Sequence, residues 1–127
     1  TGFGPYYGDA TSSLAQFRRS LVRVAEIDAR VWVTSHHRGV VTERAAFVQA
    51  LARFAHKIDE RSDKLLGYLR ERPQTLDELA ARRILYPPGF ELPYVEAAER
   101  RSIEQHLMEL HQQGAVRLQA DGRYALA

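Results

Sequence analysis

The segment from Thr75 to Ala127 permits few folds, because local chemistry marks the start and stop of each of its elements. "TLDE" at Thr75–Glu78 is a capping box: the Thr75 hydroxyl can take the Glu78 N–H while the Glu78 carboxylate reaches back to the Thr75 N–H. It opens a short helix, Leu76 to Arg83. "ILYPPGFELPYV" must be a loop, since Pro87, Pro88, Gly89 and Pro93 cannot propagate a helix. A helix from about Glu96 to Gln113 follows, with Ile103, Leu107 and Leu110 inward, and Gly114 is a good residue to end it. Val116 and Leu118, then Tyr124 and Leu126, form two short strands around an Asp121-Gly122 turn.

Upstream, Ser12 or Ser13 can cap a helix that carries Leu14, Phe17, Leu21 and Val24 on one face and Arg18, Arg19 and Arg23 on the other. Arg30 to Thr34 alternates Val31 and Val33 into a short strand, and a loop from Ser35 to Val41 follows. Thr42 can cap a second helix, whose stripe of Phe47, Leu51, Phe54, Ile58, Leu65 and Leu69 reaches Pro73. A break is expected at residues 59–63, where the stripe skips and charge clusters. Helix, short helix, loop, helix and two-strand wing is the order of a winged helix-turn-helix. The expected fold class is therefore α+β, mostly helical. Residues 1–60 form one unit and residues 61–127 the winged module.

The usual partner of a winged helix is DNA, but the charges argue against it. Net charge is only +2. Residues 1–61 hold 9 Lys/Arg and 6 Asp/Glu, whereas residues 62–127 hold 9 and 10. The last helix places Glu96, Glu99, Glu104 and Glu109 on its surface against Arg100 and Arg101, and acidic groups repel a phosphate backbone. Nucleic acid is thus an alternative reading only, with Arg100 and Arg101 as its contacts. No apolar run reaches the roughly 18 residues of a membrane span. With no cysteine in the chain, thiolate chemistry is excluded, and a cytoplasmic protein fits.

The histidines are the remaining candidates. His36 and His37 sit just past the Val31–Val33 strand, where α/β proteins place ligands. A metal needs three or four ligands, and adjacent side chains diverge, so at most one of the pair ligates. His56 reads as packing or surface. His106 and His111, five apart on the last helix, do not share a face. No GxSxG elbow, HExxH motif or glycine-rich phosphate loop is present. Asp9, after Gly8, reads as a turn residue.

The order "GPYYGDATSSLAQFRRSLVRV", "VWVTSHHRGVV", long helix, "QTLDELA" and "SIEQHLMELHQQGAVR" resembles the C-terminal part of metallo-β-lactamase-fold hydrolases that carry an appended winged helix. The likeness spans essentially the whole chain. It implies that residues 1–60 are the partial edge of an αββα fold. By position, "SHH" stands where the family has "GHG", so His36 matches its last metal ligand, while His37 replaces the glycine that follows. The resemblance implies zinc or iron in the parent protein, with an ester, thioester, lactone or phosphodiester as substrate. The opening "TGFGPYYGDATSS" reads like a loop from something larger, and the family's other ligands lie outside this chain. By itself the chain is then expected to bind metal weakly and hydrolyse nothing. An unpartnered strand edge and helix face are expected to make it self-associate as a dimer or larger species.

Overall fold

The structure, a computed structural model, describes residues 4–35 and 39–127. It is α+β and mostly helical. Among the described residues, four helices, α1 (Leu14–Glu26), α2 (Arg44–Glu71), α3 (Leu76–Arg82) and α4 (Val95–Gln112), are accompanied by two antiparallel hairpins, one between α1 and α2 and one after α4. The first pairs β1 (Trp32–Thr34) with β2 (Gly39–Val41), and the second pairs β3 (Val116–Leu118) with β4 (Tyr124–Leu126).

The local signals of the last third produce the elements they specify. The Thr75 hydroxyl accepts from the Glu78 N–H at 3.2 Å, and the Glu78 carboxylate accepts from the Thr75 N–H at 2.8 Å. Gly114 ends α4 at φ 74°. The β3–β4 turn is a three-residue loop: Gln119 N–H donates to the Arg123 carbonyl, Gly122 N–H donates back to Gln119, and Gly122 takes φ 82°. A left-handed glycine closing such a loop gives the bulged form of hairpin. Leu65 and Leu69 from α2, Leu79 from α3, Ile103, Leu107 and Leu110 from α4, and Val116 from β3 share one core.

Upstream, several expectations change. Ser13 does cap α1, but α2 begins at Arg44 behind Glu43 with no side-chain cap, so Thr42 does not serve. The expected break at residues 59–63 is absent: α2 runs unbroken for 28 residues. The apparent gap in its stripe is filled by Arg61, which is buried between Ile58 and Leu65 at helical spacing. Leu51 and Phe54 are not buried, although Phe47 is. Gly39–Val41, read as loop, is a strand that pairs Val40 with Val33. In that hairpin Trp32 faces inward and stacks on Phe47 with centroids 4.8 Å apart, while Val33 and Val40 face out.

Candidate functional site

The two histidines singled out for a metal, His36 and His37, lie outside the described residues. What flanks them is described. Thr34 Oγ1 donates to the Gly39 carbonyl at 2.9 Å, and the Trp32–Phe47 stack seats β1 on the first turn of α2. Among the described residues, no group of three His, Asp or Glu side chains is placed to hold a metal ion. The described part of the chain therefore does not by itself supply a zinc ligand set, which needs three or four groups.

The chain's buried polar chemistry lies elsewhere, where the N-terminal loop crosses α2 and α4. Residues 4–13 form a strap without regular structure. Tyr7 is its anchor: fully buried, it packs with Leu14 and Ile58. Arg61 donates to the Pro5 carbonyl at 2.6 Å and to the Tyr7 hydroxyl at 3.0 Å. The Tyr7 hydroxyl lies 2.6 Å from His106 Nε2, and Ser62 Oγ lies 2.9 Å from His106 Nδ1. Since Tyr7 already accepts from Arg61, its own proton goes to Nε2, and the ring proton then sits on Nδ1 and donates to Ser62. Gln105 donates to the Tyr7 carbonyl and accepts from the Leu14 N–H, and Arg101 Nε donates to the Gly8 carbonyl at 2.6 Å. Gly8 lies so close to Ala98 that a β-carbon there would meet it at 3.0 Å. Any larger residue there would press the strap away from α4.

His106 is thus a buried neutral imidazole with both nitrogens bonded. Burial, followed by the positive charges of Arg61 and Arg18, holds its pKa down to about 3. An unfolded histidine takes a proton below about 6.5, which the folded one refuses until about 3. Its contribution is therefore complete above pH 6.5 and is lost as pH falls through that window, at about 1.4 kcal/mol per pH unit. Urea midpoints measured between pH 7 and pH 4 should fall steeply, and His106→Gln should flatten the slope. An unchanged slope in that variant would place the acid sensitivity elsewhere.

One carboxylate is buried against the sequence expectation. Glu99, expected at the surface, is fully buried, and it accepts the consecutive N–H groups of Ile84 (2.9 Å), Leu85 (2.9 Å) and Tyr86 (2.6 Å). Glu109, also expected to be exposed, is half-buried and pairs with Arg18 at 2.8 Å. Glu96 and Glu104 are exposed as expected. Of the two candidate nucleic-acid contacts, Arg100 pairs with Asp77 on α3, and Arg101 is half-buried against the strap. His56 is exposed beside Asp59 and Glu60, and His111 Nδ1 donates to the Val116 carbonyl at 2.9 Å. Neither contributes to a shared site with His106.

Glu99 clamps the start of the α3–α4 connection so that Tyr86 and, further on, Tyr94 stand opposite Tyr6 and Asp9 of the strap. These four line a cleft of about 440 Å³. No family model and no curated protein matches this chain. No helix among the described residues is long and apolar enough to cross a membrane.

Proposed function

We propose that this chain is the C-terminal part of a metal-dependent hydrolase of the metallo-β-lactamase superfamily, in which residues 61–127 form a winged helix-turn-helix that serves packing, dimerisation or substrate access. The observation that carries the reading is one stretch of connectivity. A strand, a histidine pair and a return strand lead directly into α2, which continues unbroken into the α3–α4–hairpin end. In this reading His36 is one metal ligand, His37 is its neighbour, and the remaining ligands belong to the rest of the parent protein. Zinc or iron held there would lower the pKa of a bound water and polarise an ester, thioester, lactone or phosphodiester. This chain's own part is to hold the end of one strand against α2, through Trp32 on Phe47.

The hairpin's outer face supports the same reading. Val33 and Val40, paired across the strands, are 80% and 62% exposed, and Val31 beside them is 49% exposed. A lone two-stranded hairpin is marginal in water, and an apolar outer face favours a covering layer. In the parent that layer is the facing sheet of the αββα fold. The isolated chain should cover the face with a second copy. Light scattering at micromolar concentration is expected to show a dimer or larger species, and Val33→Lys should shift it towards monomer. A clean monomer for the unaltered chain counts against the reading.

The decisive experiment is on the parent protein. An HxHxDH motif within the preceding ~200 residues, a domain-sized span, is expected, and His36→Ala in the full-length protein should lower its metal content. Absence of that motif sinks the proposal. The alternative, a winged-helix regulator that binds nucleic acid through Arg100 and Arg101, draws no support from their positions. One is paired with Asp77 and the other is spent on the strap.

A further inference from the structure

Three tyrosines and one carboxylate converge from two separate parts of the chain. Tyr6 and Asp9 come from the strap, and Tyr86 and Tyr94 come from the α3–α4 connection. Both sides are fixed in place. Arg101 and Gly8 press the strap onto α4, and Glu99 holds residues 84–86 by three backbone bonds. The Tyr86 ring is backed by Phe90, parallel to within 2° with centroids 5.5 Å apart. Tyr94 meets Tyr86 edge to face at 68°, centroids 6.2 Å apart. The Tyr6 and Tyr86 side chains are hydrogen-bonded to each other. Tyr94 is nevertheless 50% exposed.

We propose that this cleft binds a methylated ammonium group, with the aromatic rings of Tyr6, Tyr86 and Tyr94 lining it and the Asp9 carboxylate as counter-charge. Aromatic faces carry negative potential and attract a diffuse cation, which three methyl groups make cheap to desolvate. The cleft, about 440 Å³, is shallow and open to solvent, which suits a small ligand group presented from outside. Asp9 makes no ion pair among the described residues, and the nearby Arg83 is taken up by Glu91 and by the Pro87 and Phe90 carbonyls. The N-terminus of α4, which would favour an anion, carries Glu96 in its first turn and buried Glu99 in the next. The proposal does not depend on the hydrolase reading.

The test is a titration of the chain with tetramethylammonium, choline and a trimethyllysine peptide, followed by amide and tyrosine-ring NMR shifts. The uncharged isostere of choline, 3,3-dimethylbutan-1-ol, is the control. Saturable shifts confined to residues 6–9 and 84–99 are expected, with a Kd of about 1 mM for so small a ligand. The isostere should bind about ten-fold more weakly. Tighter binding of choline or of the peptide names the source of the group. Asp9→Asn and Tyr94→Ala alter exposed side chains and should weaken binding about five-fold or more with the melting temperature unchanged. Shifts that do not saturate, that map elsewhere, or that are equal for the isostere overturn the proposal.

Discussion

Replacing Glu99 with alanine should lower the stability of this chain by about 3–5 kcal/mol, because it strands donors in a place that water reaches poorly. The carboxylate is fully buried, yet it serves residues 13 to 15 positions earlier, accepting three successive N–H groups from Ile84, Leu85 and Tyr86. Just before them Arg83 adopts φ 63° and ψ 142°, a conformation costly for a side chain with a β-carbon. The guanidinium of Arg83 helps to hold it, through the carbonyls of Pro87 and Phe90 and the Glu91 carboxylate. Glu99→Gln keeps one carbonyl oxygen for Leu85 and Tyr86 but sets an amide against the Ile84 N–H, and should cost about 1–3 kcal/mol. Urea denaturation followed by circular dichroism measures both. An alanine variant within about 0.5 kcal/mol of the parent, the range of an ordinary surface change, would mean that the clamp contributes nothing.

The second large effect is expected at Tyr7. Truncation to alanine removes a fully buried ring from between α1, α2 and α4, and costs about 3–5 kcal/mol by analogy with large aromatic deletions. Tyr7→Phe keeps the ring but removes the hydroxyl between Arg61 and His106. It should cost about 1–3 kcal/mol, since both partners are left buried with an unmade bond. The pair of variants separates packing from the polar chain, and equal losses in both would assign the whole effect to the hydroxyl.

These two residues also mark where sequence reading stops. Thr75 with Glu78, Gly114, and Asp121 with Gly122 are legible because each acts within four residues of itself. Their physics is written locally, and the structure repeats it. Glu99 is read as exposed because an unpaired glutamate almost never goes inside. Its partners are backbone amides, which no side-chain pattern announces. His106 is placed on α4 correctly, but its burial depends on Tyr7, 99 residues away. Arg61 makes the stripe of α2 seem to skip for the same reason: an arginine counts as polar until something like the Pro5 carbonyl is brought to meet it. Gly39–Val41 is too short to show a strand period on its own. Of the cleft, Tyr6, Tyr86, Tyr94 and Asp9 are each unremarkable in the sequence, and only the docking of the strap brings them together.

The unbroken course of α2 has a consequence for how the molecule comes apart. Ile58 belongs to the cluster under the strap and Leu65 to the core under α3 and α4, and about two turns of one helix separate them. Arg61 and Ser62, between the two, are tied to Tyr7 and His106. Melting either end frays a helix on which the other end depends. The strap, α2 and α4 should therefore lose protection from hydrogen exchange together, as a single cooperative unit. The β1–β2 hairpin, which rests on α2 chiefly through Trp32 and Phe47, is free to open on its own.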